Sequence, residues 1–262
     1  MFWWLLKFVL LGPPLRLAFR PRTEGLESVP PAGPAILAAN HVSALDTVLL
    51  PLVIRRRKVH FLAKAEYFDP WYTAWFFRAA GTIPVRREDG TASEAALQAG
   101  AQALREGKLV GIFPEGTRSP DGRLHRGRTG VVRLAIRARV PVIPVAILGT
   151  FEAMPTGARL PRPRPVRIRF GRPLYFHPLY DAPIDRFVLR SATDRIMYEI
   201  RMLSGQEYVD QCASRVKGRP ARTQPGAEAG RAEGPTPRGR EGGGTTPGDA
   251  SGSGGSRDQT TG

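Results

Sequence analysis

The stretch "AILAANHVSALDTVLLPL", residues 35–52, decides the fold. Ala35 to Ala39 read as a buried strand, Asn40 to Asp46 as a turn, and the residues up to about Leu52 as a helix. Strand, turn and helix in that order make the unit of an α/β domain. In such domains ligands gather at the carboxyl ends of the strands, where a helix N-terminus offers N–H groups to anions. Within the turn, His41 precedes Asp46 by five positions. On a regular helix that spacing separates two side chains by about 140°, at about 100° per residue, so His41 must sit at or before the first turn for Asp46 to reach it. An Asp that accepts one imidazole N–H fixes the tautomer and leaves the other nitrogen free to take a proton from a hydroxyl. The alternative is a structural histidine at a helix start, with Asp46 paired to a nearby arginine.

Outward from this stretch the pattern repeats. Val59 to Ala63, Thr82 to Val85, Leu109 to Phe113 and Val142 to Leu148 read as further buried strands, and "VRIRF" at 166–170 alternates like an edge strand. Helix signals fill the gaps: Asp69 and Pro70 precede an aromatic run, and Thr91 with Glu94 forms a capping box for a helix that stops at Gly107. The expected architecture is a single α/β domain with a mostly parallel or mixed central sheet flanked by helices. The aromatic run Trp71 to Phe77 reads either as core packing or as a groove for an apolar chain.

Charge and cysteine content bound the function. The chain of 262 residues has 39 basic and 23 acidic residues; 8 and 5 of these follow residue 212, so +13 of the net +16 belongs to the preceding part. A domain of that sign favours anionic partners: nucleic acid, a lipid surface or phosphorylated substrates. The single Cys212 excludes an intramolecular disulfide and a multi-thiolate metal site, and is consistent with a reducing compartment. His60, His125 and His177 have no ligand spacing with one another and read as structural or surface residues.

Both ends differ from the middle. Residues 1–24 open with an apolar, aromatic run around Lys7 that Pro13, Pro14 and Arg16 stop near residue eleven, short of the about 20 residues a bilayer span needs. With Arg20 and Arg22 nearby, this segment reads as an interfacial helix lying in anionic headgroups, or else as a helix docked on the core. Residues 213–262 are Gly-, Pro- and Arg-rich with few large apolar residues, and read as a disordered tail. Residues 25–212 are left as the globular domain.

Three other stretches bear on the function. "FPEGTRS" (113–119) offers Glu115, Gly116, Thr117 and Arg118 in a turn suited to an anion; "GTIPVRR" (81–87) ends in two arginines; and "VPVIPVAI" (140–147) is an apolar block. Together these stretches resemble the membrane-associated glycerolipid acyltransferases, especially the lysophosphatidate acyltransferases, over roughly residues 25–175. The family's Asn-His-x-Ser-x-x-Asp block is matched by Asn40, His41, Ser43 and Asp46, and its Gly-x-Ile-x-Val-x-Arg block by Gly81, Ile83, Val85 and Arg87. Arg86 and Pro84 depart from the residues common at their positions in the family.

The resemblance implies transfer of a fatty acyl group from acyl-CoA or acyl carrier protein to the free sn-2 hydroxyl of lysophosphatidate, giving phosphatidate, with neither metal nor cofactor. It implies His41 as general base, Asp46 as its orienting carboxylate, and Lys64, Arg87, Glu115, Gly116, Thr117 and Arg118 in substrate binding. It also implies a peripheral or monotopic protein at the cytoplasmic face of the cell membrane, on an anionic lipid surface. Other expectations to weigh are transfer to a different lysophospholipid, a hydrolase using Ser43, and a basic nucleic-acid or lipid-surface binding module. The resemblance itself implies no specific nucleic acid.

Overall fold

Apolar runs become strands, and the stretches between them become helices. The computed structural model describes residue 4 and residues 6–85, 92–183 and 185–217. A π-helical turn, Leu6–Leu10, leads into α1 (Gly12–Phe19), β1 (Arg22–Glu24), β2 (Ala35–Ala39), α2 (Asp46–Val53), β3 (Val59–Lys64), α3 (Trp71–Ala80), β4 (Ile83–Val85) and α4 (Ala92–Arg105). There follow β5 (Leu109–Ile112), β6 (Leu124–His125), α5 (Gly130–Ala138), β7 (Val142–Leu148), α6 (Thr150–Ala153), β8 (Arg167–Phe170), α7 (Arg186–Ser204), β9 (Tyr208–Val209) and α8 (Ala213–Lys217).

Seven strands make one mixed sheet in the order β1-β8-β7-β2-β5-β3-β4, and β6 pairs with β9 apart from it. β7, β2, β5, β3 and β4 run parallel; β8 is antiparallel to β7, and β1 runs with β8. All five residues of β2 are fully buried, as a strand covered on both faces must be. Its alternation feeds two cores. Ile36 and Ala38 pack with α4, α5 and α7 through residues such as Leu104, Leu134 and Ile196; Ala35, Leu37 and Ala39 pack with Phe19 of α1 and Leu49, Leu50 and Leu52 of α2.

The expected strands at 35–39 and 142–148 match β2 and β7, and the others agree to within a residue or two at their ends. "VRIRF" is not an edge strand: β1 pairs outside β8, from Arg22↔Arg167 to Glu24↔Arg169. That pairing also carries the sheet across the expected boundary at residue 24. Glu24, facing Arg167 and Arg169, is the sequence feature behind it. Pro13 and Pro14 lie in the first turn of α1, where a missing N–H costs little, so they start a helix rather than only ending a run.

The Lys7 ammonium donates to the carbonyl of Ile54, just past α2, and lies over the Trp4 ring, fastening the N-terminal turn to the domain. Burial, with Arg16 and Arg55 adding repulsion, lowers its pKa to about 8. Among the described residues no helix is long and apolar enough to cross a membrane. At the other end, order continues past residue 213: Ala213 is fully buried in α8. The rest of the expected tail, from residue 218, lies outside the described residues.

Asn40 closes the central strand. Its side chain accepts the N–H of Ile147 at 2.7 Å, and donates to the Ile147 carbonyl at 3.0 Å and to Gln206 Oε1 at 2.8 Å, all in a fully buried position. Asn40→Ala would strand both backbone groups of Ile147, at about 1–3 kcal/mol for each polar group left unpaired. The expected result is a stability loss of about 2 kcal/mol or more, measured by urea unfolding, with the fold retained.

Candidate active site

The loop after β2 is shaped by a single carboxylate oxygen. Asp46 Oδ2 accepts the N–H of Val42 and of Ser43, each at 2.8 Å, and meets His41 Nδ1 at 3.0 Å. An oxygen already taken by two backbone donors acts as acceptor toward the ring, so Nδ1 carries the proton and Nε2 is left as the basic nitrogen. Asp46 is fully buried, whereas the His41 side chain keeps 14% of its exposure and lines a cavity. Asp46 is also the first residue of α2, where a negative group is favoured by the helix dipole. The bend at residues 40–45 overcomes the five-residue spacing.

Three further contacts fix the ring. His41 stacks on Phe113 with ring centroids 3.9 Å apart and 15° between planes, and Phe113 stacks on Phe61 at 5.3 Å. Phe61 lies over Gly111, where any Cβ would meet its ring at 2.5 Å; glycine is what admits the stack. The backbone is held too: His41 N–H donates to Glu115 Oε1 at 2.8 Å, and the His41 carbonyl accepts from Ser119 N–H at 2.7 Å.

Glu115, expected to contact substrate, is instead fully buried, with Oε2 accepting from His125 N–H at 3.0 Å. Both its oxygens are occupied by backbone, which makes it a brace between the two loops. Burial pushes its pKa up to about 8 against the pull of those two N–H bonds, with the charges of Asp46 and Asp121 adding to the rise. Below it His125 is buried, Nε2 at 2.9 Å from Asp121 Oδ1 and Nδ1 at 3.2 Å from the carbonyl of Gln211, which is the structural role expected of that histidine. Burial opposes ionisation of Asp121, but bonds from His125, Arg123 and Ser119 outweigh it and hold this carboxyl well below its usual range.

Ser43 is turned away from His41. Its hydroxyl donates to the Met154 carbonyl at 2.7 Å and accepts from Leu45 N–H at 3.3 Å, so it serves the start of the helix. Gly116 has φ of 74°, the left-handed conformation that favours glycine, and a Cβ there would also approach the side chain of Arg128, at 3.0 Å from Nε.

Gly116, Thr117, Arg118 and Arg128 line the mouth of a cavity of about 910 Å³ that His41 also lines. Its walls are mainly apolar: Val48 of α2, Phe61 and Leu62 of β3, Phe77 of α3, Leu97 of α4 and Leu134 of α5. The volume lies within the range of small-molecule sites. Phe77 places part of the aromatic run at this groove, with Trp75 facing outward.

His41, Asp46, Glu115, Gly116, Thr117 and Arg118 thus come together at the carboxyl ends of β2 and β5. Lys64 ends β3, backbone-paired with Val85; Arg87, like Thr91, lies outside the described residues. Sequence reasoning passed over Arg128, whose Nη2 donates to Ser214 Oγ at 3.2 Å, and the clamp of Asn40 on Gln206. The only trace of the first is an Arg-Gly-Arg-Thr-Gly stretch at 126–130 beside the glycine-rich turn.

Residues 20–148 match the family model described as "Acyltransferase". A chloroplastic 1-acyl-sn-glycerol-3-phosphate acyltransferase of Brassica napus, BAT2, is 32% identical over 58% of this chain and 44% of its own length. A 1-acyl-sn-glycerol-3-phosphate acyltransferase of Bacillus subtilis is 29% identical over 57% of this chain and 71% of its own. This chain therefore spans under half of the plant relative's length. The crystal structure of the 1-acyl-sn-glycerophosphate acyltransferase PlsC from Thermotoga maritima aligns with a TM-score of 0.56 and 25% identity, covering 77% of this chain and 74% of that one.

The Glu115 brace makes stability depend on pH. An acid whose pKa rises on folding, here from 4.5 to about 8, holds its proton in the folded state after the unfolded state has lost it, so stability falls as pH climbs through that interval. Glu115→Gln removes this contribution but turns an amide N–H₂ toward a backbone N–H, at about 1–3 kcal/mol. Urea unfolding between pH 5 and 8 should show a less stable variant with a flatter decline than wild type.

Proposed function

We propose that the chain is a member of the acyltransferase family whose model it matches, and that it transfers a fatty acyl group from a thioester, on coenzyme A or acyl carrier protein, to the free sn-2 hydroxyl of lysophosphatidate. The observation that carries this reading is the His41–Asp46 pair opening onto an apolar cavity with two arginines at its mouth. Each part answers a need of the reaction.

An alcohol is a poor nucleophile until it loses its proton. His41 Nε2 takes that proton as the hydroxyl oxygen attacks the thioester carbonyl, and Asp46, already bonded to Nδ1, stabilises the imidazolium. Collapse of the tetrahedral intermediate breaks the C–S bond, and the imidazolium returns the proton to the departing thiolate. The ester forms without a covalent enzyme intermediate. The occupied hydroxyl of Ser43 supports direct transfer over a serine hydrolase.

The cavity walls supply apolar surface for an acyl chain, worth roughly 25 cal/mol per Å² removed from water. Arg118 and Arg128 supply donors for the acceptor phosphate; Lys64 and Arg87 are the further cations proposed for it. The N-terminal segment, with Val9, Leu10 and Leu17 exposed, is proposed to lie in an anionic lipid surface on the cytoplasmic side, where both substrates partition. Anionic substrates and anionic lipid together account for the basic excess without nucleic acid.

His41→Ala is expected to keep the unfolding midpoint within a small margin of wild type and to reduce acyl transfer to lysophosphatidate by about 10³-fold or more, since general-base catalysis and orientation are lost together. Transfer at the wild-type rate by a folded His41→Ala protein would rule out this base. Arg118→Gln should raise KM for lysophosphatidate about tenfold while changing kcat little, because a charge-assisted hydrogen bond to phosphate contributes to binding before and during reaction. Steady-state kinetics with varied acceptor reads this directly.

A further inference from the structure

The segment between β7 and β8 takes no part in the chemistry above, yet it leaves the sheet beside His41. β7 runs parallel to β2, so residues 149–166 emerge at the same carboxyl edge. Their first part is bonded to the site loops: the Met154 carbonyl accepts from Ser43 Oγ at 2.7 Å, and Thr156 Oγ1 donates to the Ser119 carbonyl at 2.8 Å. Their last residue is bonded to the end of α1: Val166 N–H donates to the Phe19 carbonyl at 2.8 Å, and Arg22 N–H to the Val166 carbonyl at 2.9 Å. The segment bridges the rim of the site and the base of the N-terminal helix.

Between these anchors the chain reads Arg-Leu-Pro-Arg-Pro-Arg-Pro, residues 159–165, and every one of the seven is exposed. Leu160 is 81% exposed. Arg159, Arg162 and Arg164 have neither an ion pair nor a side-chain hydrogen bond among the described residues, although Asp and Glu elsewhere on the surface are paired with other arginines. No acidic residue occurs from Ala153 to Tyr180, a run that holds six arginines. Three prolines, Pro161, Pro163 and Pro165, restrict φ and lower the entropy lost when the segment is fixed against a surface. Its backbone is pinned at the middle and just before its start: Arg162 N–H donates to the Ala153 carbonyl at 2.7 Å, and Ala158 N–H to the Pro155 carbonyl at 3.0 Å.

One exposed leucine is ordinary. A leucine projecting from a stiffened, wholly exposed loop, flanked by three unpaired arginines and fastened beside a helix that exposes Leu17 at 76%, is a different arrangement. Arginines beside an apolar tip match the boundary of an anionic bilayer, where guanidinium groups meet headgroup phosphates and the leucine enters the acyl region. We propose that the Arg159–Pro165 loop is a second lipid-docking element, which with α1 sets the rim of the His41 cavity against an anionic membrane surface. The proposal rests on the lipid-substrate reading for its purpose, while its observations are independent of the chemistry.

The test uses the full chain. In a Cys212→Ser background, Leu160→Cys is labelled with an environment-sensitive fluorophore and titrated with vesicles of phosphatidylcholine alone or mixed with phosphatidylglycerol. Blue-shifted, brighter emission with the anionic vesicles is expected. In cosedimentation, Leu160→Asp and the triple variant Arg159→Gln, Arg162→Gln, Arg164→Gln should each bind those vesicles about tenfold or more weakly than wild type, with the difference shrinking at high salt. Transfer to a short-chain acceptor free in solution should be unchanged in both, while transfer to acceptor embedded in anionic vesicles falls.

A label that stays silent, with vesicle binding unchanged in both variants, overturns the proposal. So does unchanged vesicle binding with loss of affinity for an acidic acyl carrier protein, which would make the partner a protein. Absence of transfer by the wild type, with label and binding behaving as expected, would count against the acyltransferase reading and leave the lipid-docking loop standing.

Discussion

Asp46 Oδ2 is the point on which the site turns. One buried carboxylate oxygen collects the N–H groups of Val42 and Ser43 and the ring N–H of His41, bending the chain just where the central strand gives way to α2. Those two backbone groups would otherwise be unpaired donors in a buried loop. The bond that sets the histidine tautomer is therefore made by the same atom that stabilises the turn, and structural and chemical roles are inseparable at this residue. Its place at the first residue of a helix adds favourable electrostatics to a charge that burial disfavours.

Around that turn the protein spends its unusual residues on rigidity. Glu115 is buried at the cost of a raised pKa and ties the backbone of His41 to that of His125. Gly111 gives space for Phe61, Phe61 supports Phe113, and Phe113 supports the imidazole face. Asn40 locks β2 to β7 and to Gln206. Tyr208–Val209 and α8 then bring Gln211 to His125 and Ser214 to Arg128, so residues far beyond the matched family region help to build the mouth of the cavity. The general base proposed at His41 needs a geometry held by neighbours that cannot relax, and these contacts supply that.

The sheet also decides orientation. The His41 loop, the FPEG turn, the end of α1 and the Arg159–Pro165 loop all lie at one edge, because β7 is parallel to β2 while β8 and β1 run the other way. In the proposed reaction, a lipid substrate approaching that edge would meet arginines and exposed apolar residues before it meets His41.

Much of the fold was legible in the sequence, since short β-branched runs and capped helical stretches carry their periodicity locally. The four ordered blocks likewise led to the family that the comparisons found, and the turn after β2 was read to within a residue. What misled was anything whose partner is remote. "VRIRF" looked like an edge strand because its own alternation says nothing of β1, more than 140 residues earlier, that covers it. Glu115 looked available to a ligand because a glycine-rich turn hides the two amides, 74 and 10 residues away, that occupy it. Arg128 went unnoticed because its place opposite Gly116 is made by the path of the chain, not by spacing.

The sequence alone determined the α/β class, the strand that leads to His41 and the pairing of a histidine with an aspartate in the turn after it, because these depend on neighbours within one turn or strand. Only the tertiary structure decided which oxygen of Asp46 meets which nitrogen, which carboxylate is a brace, which arginines share a cavity and which loop shares its edge. Those are distances between segments brought together by burial of two cores, and no local pattern encodes them.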